Sequence, residues 1–300
     1  MNITDKILEL KREKNACILA HCYQNVEIDE VADFVGDSLY LSRMAAKTDA
    51  DIIVFAGVFF MAQTAKIISP DKKVLLPNKN SGCVMANMIN KTQLKEFKEK
   101  HPDIPVVCYV NSTAEVKALC DICCTSANAE KIIKSLNAKE VLFVPDTHLG
   151  KWSEFQLKST KVTTYPGFCP THLKITKEDV LSAREKYPNS KILVHPECHI
   201  EVSKLADYVG STSGIMNYVK ESDEHSFVIG TEQGVVDRLK RDYPKKELIP
   251  IKEDLVCYNM KFNTLEDIYE SLLHEQHEIT VEKEIADKAR NCITKMLEVV

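Results

Sequence analysis

The feature that most constrains this chain is its self-similarity: three copies of one unit recur at an interval of about 87 residues. Short apolar runs at 16–21, 106–111 and 191–196 each follow a charged amphipathic stretch and have the pattern of buried strands. Matching segments come next, at 31–38, 119–126 and 205–212. Within them Asp33, Asp121 and Asp207 stand 88 and then 86 residues apart, and Ser38, Ser126 and Thr212 keep the same two intervals. Later runs beginning at Val74, Val162 and Leu248 hold that register as well.

In the first unit the pattern predicts helix 4–14, strand 16–20, helix 27–32, strand 33–35, helix 38–47, strand 51–57, helix 59–69 and strand 73–77. Strands separated by helices imply a parallel sheet covered on both faces and joined by right-handed crossovers. The expected fold is therefore α/β, with three homologous three-layer αβα domains of about four parallel strands each, in a pseudo-threefold arrangement around a central active site. The expected division is 1–86, 87–172 and 173–260, followed by a C-terminal helical segment, 261–300, whose helices near 264–276 and 283–297 pack back on the body. Open parallel sheets bind ligands beyond the carboxyl ends of their strands, so three such ends would meet at one centre.

Composition narrows the function. A net charge of -5, from 39 Lys+Arg against 44 Asp+Glu, leaves no basic surplus for nucleic acid. The longest apolar run, 52–62, falls well short of the ~20 residues of a membrane span, and the first residues do not read as a signal peptide, so a cytoplasmic protein without a membrane partner is expected. The nine glycines form neither common nucleotide-cradling motif. In a reducing compartment the eleven cysteines point to metal, reactive thiols or packing rather than disulfides.

Repeat position sorts these cysteines. Cys120 stands where the other copies have Ala32 and Ala206, Cys123 where they have Val35 and Val209, and Cys108 where they have Ala20 and Val194. Packing is the expected role for these three, for Cys17 in the equivalent first strand and for Cys292 in the last helix. Cys22, Cys124 and Cys198 lie nearer the expected centre but have no cysteine counterparts. Cys83, Cys169 and Cys257 differ: each follows the last strand of its unit, at intervals of 86 and 88. Three such thiolates could hold zinc with a water, or a [4Fe–4S] cluster with one iron left open as a Lewis acid, or be unrelated loop thiols.

The polar residues at strand ends follow the same register. His21, Tyr109 and His195 are equivalent, as are Tyr23, Asn111 and Glu197 two residues later. They offer acid, base and hydrogen-bonding groups to the crevice. Ser38, Ser126 and Thr212 are expected to begin helices, as N-caps or as part of three anion sites for a polyanionic substrate. His172, three residues after Cys169, is a candidate for anion binding or proton transfer, and Thr231 and Glu232 open a further loop without an assigned role.

Several stretches together carry a resemblance: Ile18-Leu-Ala-His21-Cys-Tyr23-Gln, Val35-Gly-Asp-Ser38-Leu, Tyr109-Val-Asn111-Ser-Thr-Ala-Glu, Cys124-Thr-Ser126-Ala-Asn, His195-Pro-Glu197-Cys, Gly210-Ser-Thr212, Gly230-Thr-Glu232, and Cys257-Tyr-Asn-Met-Lys-Phe-Asn-Thr-Leu-Glu266. Over residues 3–297 the chain resembles the quinolinate synthase family. The resemblance implies a transferase that condenses iminoaspartate with dihydroxyacetone phosphate, releasing phosphate and water, to make the pyridine precursor of NAD. It also implies a functional link to the enzyme that supplies iminoaspartate. A [4Fe–4S] cluster would be held by Cys83, Cys169 and Cys257. His21, Ser38, Tyr109, Asn111, Ser126, His172, His195, Glu197 and Thr212 would bind substrate, and Tyr23, Tyr109, His195 and Glu197 would be catalytic. Two departures stand out: Cys22 occupies a position expected to hold Asn or Tyr, and Cys257 is followed by Tyr-Asn-Met where some relatives carry further cysteines. Two rivals stand against this reading: the radical enzyme that begins diphthamide synthesis, which needs S-adenosylmethionine, and a non-catalytic iron–sulfur sensor.

Overall fold

The computed structural model describes residues 2–299. Its first sheet joins β1 (Ala16–His21), β2 (Phe34–Gly36), β3 (Ile52–Ala56) and β4 (Lys73–Leu75), with α1 (Ile3–Glu13), α2 (Ser38–Lys47) and α3 (Phe59–Ile68) between or before them. The second unit begins with α4 (Lys91–Glu99). It continues through β5 (Val106–Tyr109), α5 (Ala114–Lys117), β6 (Ile122–Cys124), α6 (Ala129–Ser135), β7 (Glu140–Val144), α7 (Thr147–Leu157) and β8 (Lys161–Thr164). The third runs α8 (Lys177–Lys186), β9 (Lys191–Val194), α9 (Ile200–Leu205), β10 (Tyr208–Val209), α10 (Thr212–Glu221), β11 (Ser226–Gly230), α11 (Gln233–Asp242) and β12 (Glu247–Pro250). All three sheets are parallel and share one strand order, second-first-third-fourth. The α/β expectation of three four-stranded parallel sheets, each flanked by helices, is met.

The repeated aspartate has a physical reason. The carboxylates of Asp33, Asp121 and Asp207 accept from the backbone N–H of Ile18, Val106 and Ile192 at 2.8, 2.7 and 2.7 Å. Each aspartate's own N–H donates back to the carbonyl of that residue. This reciprocal pair pins the short second strand beside the first, where only two or three ladder partners are available. The inner strands β1, β3, β5, β7, β9 and β11 are buried almost throughout, which is why their sequences read as continuous apolar runs rather than alternating ones.

One difference from expectation lies at 27–32, where the structure has a 3-10 helix, Val26–Glu30. The chain has room for little more than a turn before Asp33 must reach Ile18, and a stretch that short favours the tighter helix. The two C-terminal helices, α12 (Leu265–His274) and α13 (Lys283–Glu298), do pack back: α12 lies against α1, and α13 against β6, α5 and α3. Among the described residues no helix is long and apolar enough to cross a membrane.

Candidate active site

Cys83, Cys169 and Cys257 sit in loops that follow β4, β8 and β12, and all three line one cavity of about 270 Å³. A 3-10 turn begins two or three residues after each, at Met85–Asn87, His172–Lys174 and Met260–Phe262. The first N–H groups of such a turn have no partner inside it. Here Met85 and Ala86 donate to Cys83, His172 to Cys169 and Met260 to Cys257. Burial nonetheless pushes the thiols up, Cys83 to about 12, Cys257 to about 11 and Cys169 well above its usual range; Glu197 adds to this at all three, neighbouring sulfurs at Cys83 and Cys169, and Glu232 at Cys257. Three mutually repelling sulfurs that are provided with N–H donors fit a cationic group that would offset their charge. The three Sγ atoms do not all lie within 4.8 Å of one another, too dispersed for one tetrahedral ion with bonds of about 2.3 Å. The donor set therefore suits a polynuclear group. Cys169, His172 and Glu197 do present one ligand atom each within 4.8 Å of one another, a spacing that a single ion could bridge.

The stretch after Cys257 holds the three loops together. The buried Asn263 donates to Gly57 O at 2.9 Å and to Gln24 Oε1 at 3.1 Å, while its Oδ1 accepts from Asn78 N and Ser81 Oγ. Asn259 donates to Gly82 O, next to Cys83. Glu232, fully buried, accepts from Cys257 N at 3.2 Å and pairs with Lys261, whose Nζ donates to Tyr23 O at 2.6 Å. Glu232, left without a role by its sequence position, thus sets the third cysteine loop against the end of β1.

A continuous row of hydrogen bonds crosses the cavity. Thr212 Oγ1 donates to Tyr23 OH at 3.1 Å, Tyr23 OH lies 3.2 Å from Thr231 Oγ1, and Thr231 Oγ1 lies 2.9 Å from His172 Nε2. His172 Nδ1 is 2.7 Å from Glu197 Oε2 and 3.2 Å from Cys169 Sγ. The carboxylate places the ring proton on Nδ1, so Nε2 accepts from Thr231, and every donor in the row points towards Glu197. Tyr109 OH completes it with a 2.6 Å bond to Glu197 Oε1. Burial and the Glu197 charge push both tyrosines far up, so each stays a donor. For Glu197 burial acts upwards, but His195, His172 and Tyr109 outweigh it and hold the carboxyl below its usual range.

His21 and His195 keep their repeat equivalence in three dimensions. The Nδ1 of each accepts the backbone N–H two residues on, from Tyr23 at 3.1 Å and Glu197 at 3.3 Å, which leaves the proton on Nε2. Burial lowers both to about 3, so both are neutral; for His21 the Arg238 charge adds to the effect. The His195 ring stacks on His172 at 4.5 Å. Asn111 also lines the cavity, and its Oδ1 is buried with no partner, an acceptor in want of a ligand N–H or O–H.

Ser38, Ser126 and Thr212 reach the same wall, but not as helix N-caps. The caps are Asp37 for α2 and Ser211 for α10, which accept from Tyr40 N and Gly214 N. Ser38 and Thr212 are first helical residues, and the resident Asp37 carboxylate takes the anion position at the start of α2. Ser126 precedes α6 by a turn in which Asn128 Oδ1 accepts from Thr125 N at 2.7 Å, so that helix starts only at Ala129. The expectation of three equivalent helix-start anion sites is thereby corrected. Sequence position also left three neighbours without a place: Asp37 and Lys174 line the cavity, and Thr231 bridges Tyr23 to His172. None has a repeat counterpart of the same type, so periodicity carried no signal for them. Asp37 and Ser126 also border a wider cleft of about 920 Å³, whose lining mixes Arg43, Lys131 and Arg241 with Asp29, Glu130 and Asp242.

The family described as Quinolinate synthetase A protein matches residues 5–298. The chain is 52% identical to a quinolinate synthase of Alkaliphilus metalliredigens over 298 residues, 99% of this chain and 98% of that one. It is similarly related to quinolinate synthases of Dehalococcoides mccartyi, at 51% over 298 residues, and of Clostridium kluyveri, at 47% over 297 residues, with the same coverage.

Proposed function

Because the chain belongs to the quinolinate synthetase A family, we propose that its cavity condenses iminoaspartate with dihydroxyacetone phosphate, as a transferase serving cytoplasmic NAD biosynthesis. Cys83, Cys169 and Cys257 would hold a [4Fe–4S] cluster. When bound, the cluster supplies a Lewis-acidic iron with an open position, suited to polarising a substrate oxygen. The division of the chain at 86, 172 and 260 belongs to the same reading.

The protein's own groups would do the proton work. Glu197, ionised and held between Tyr109 and His172, takes a proton from the condensing carbon skeleton. The row from Thr212 through Tyr23, Thr231 and His172 moves a proton to or from that carboxylate without admitting bulk water. Neutral His21 and His195 donate from Nε2 to substrate oxygens, and Asn111 Oδ1 accepts from the imine nitrogen or a hydroxyl. Ser38 and Ser126 hydroxyls and Lys174 orient the phosphate and carboxylates, while Thr212 keeps the proton row in place. The observation that carries this reading is the meeting of one cysteine loop from each sheet with an unbroken donor row ending on Glu197.

The test is anaerobic purification followed by iron, sulfide and quinolinate measurement. About four irons and four sulfides per chain, with quinolinate formed from the two small substrates, is the expected result. A single bound ion lost in Glu197→Gln would instead indicate the Cys169–His172–Glu197 site, and cluster-dependent cleavage of S-adenosylmethionine would favour a radical enzyme.

A further inference from the structure

A second group of sulfurs lies between the second sheet and α13, outside the active-site cavity. Cys108 on β5 and Cys123 on β6 are register partners, Cys120 precedes β6, and Cys292 comes from α13. Cys108, Cys123 and Cys292 are fully buried, and only Cys120 is partly open to solvent. Cys123 Sγ lies 3.2 Å from Cys292 Sγ, closer than ordinary contact between two sulfurs, and Cys108 Sγ lies 2.9 Å from Ser112 Oγ. Lys117, equally buried, donates to Ser112 O; burial lowers its pKa, and the four neighbouring cysteines act against that. Burial acts to raise Cys108, but hydrogen bonds from Cys120, Cys123 and Ser112 together with the Lys117 charge hold it well below the usual thiol range. No three of these sulfurs lie within 4.8 Å of one another, so the pocket is not built for one soft metal ion.

We propose that Cys123 and Cys292 form a redox-active dithiol, which hydrogen peroxide converts to a disulfide that fastens the last helix to the second sheet. The sulfur of Cys123 attacks one peroxide oxygen, giving a sulfenic acid and one water. The sulfur of Cys292 then attacks the oxidised sulfur, an S–S bond forms and the S–O bond breaks, releasing a second water. Two thiol hydrogens end in water, the sulfurs are oxidised by two electrons and peroxide is reduced by two. The Cys123 proton passes to the departing hydroxide, which leaves as water. The pair is independent of the three cavity cysteines, which belong to other loops.

The test uses anaerobically prepared holoenzyme, a few equivalents of hydrogen peroxide, thiol capping after denaturation and mass spectrometry of a non-reduced digest. The expected result is a linked peptide pair containing Cys123 and Cys292 in most chains, reversed by dithiothreitol. Oxidised protein should also melt several degrees higher than reduced protein, because the cross-link closes a long loop in the unfolded chain. Neither change should occur in Cys292→Ala or in Cys123→Val, the latter placing at 123 the residue found at Val35 and Val209. Recovery of Cys123 and Cys292 as capped thiols while the cavity cysteines are oxidised would overturn the proposal. So would a linked pair formed without any change in melting, or a thiophilic metal in the untreated protein that either variant releases.

Discussion

Cys83, Cys169 and Cys257 come from three sheets and meet on the wall of a cavity, whereas Cys108, Cys120 and Cys123 come from one sheet and meet a helix from the end of the chain. The first set sits in loops with backbone N–H groups aimed at sulfur; two members of the second sit in strands, where the backbone is committed to the ladder. Charge compensation differs accordingly. The cavity leaves room for an exogenous cationic group, while the second pocket contains its own basic group, Lys117, which burial lowers from its ordinary range and the surrounding sulfurs raise. Proximity of thiols therefore does not by itself predict their chemistry: what decides it is whether the chain has already provided the opposing charge.

The sharpest way to break this comparison is to exchange the two sets. Cys169→Ser should lower kcat by about 10³-fold or more and reduce bound iron, while Cys123→Val should keep both near wild type. Equal losses in steady-state turnover and iron content would erase the distinction. Glu197→Gln keeps the shape but removes the carboxylate that ends the donor row, and a fall in kcat of about 10²-fold or more is expected, with iron content preserved. Retained turnover would exclude Glu197 as the base.

On the other side, Lys117→Met removes the buried amine and leaves the thiols. Breaking such a buried arrangement should cost about 3 kcal/mol in denaturant unfolding, and a loss within error would mean that Lys117 is neutral there. The cavity should register acid instead. His21, lowered to about 3 in the fold, cannot take up the proton that the unfolded chain binds near pH 6.5. Its contribution to stability is complete above that pH and declines as pH falls from about 6.5 towards 3, by up to about 1.4 kcal/mol per unit. Urea midpoints between pH 7 and 5 should show a slope that flattens in His21→Asn.

The smallest effect concerns the other fastening of the C-terminal segment, where Glu275 bonds Lys14 at 2.8 Å and Lys73 at 2.5 Å. Those two lysines lower its carboxyl to about 2. The contribution is present above about pH 4.5 and lost as pH falls towards 2. Glu275→Gln should change stability at pH 7 by less than about 1 kcal/mol, since the pair is exposed, against the several degrees expected from cross-linking Cys292. A larger loss would make the ion pair, not the thiol pocket, the main tether.

Much of the site is written into the repeat. His21 and His195, Asn111 and Glu197, and the three loop cysteines occupy corresponding points of one unit, and a parallel sheet places corresponding points at corresponding ends. Thr231, Asp37 and Lys174 were not legible that way, because their roles arise from neighbours in other units rather than from position in their own. Helices do start at Ser38 and Thr212, but the caps went elsewhere for a local reason: Asp37 and Ser211 take the cap from the hydroxyls that follow them, and the Thr125–Asn128 turn displaces the start of α6 from Ser126. Cys123 reads as packing because its repeat partners are valines, and nothing in the sequence places Cys292 beside it.

By itself, then, the sequence determined the three-unit α/β fold, the apolar inner strands and the cysteine that follows each last strand, since periodicity and burial are local properties of a chain that repeats. Only the tertiary structure decided the donor row from Thr212 to Glu197 and the contact of Cys123 with Cys292. Both depend on distances between segments far apart along the chain, and those distances are set by how the packed units close around one another.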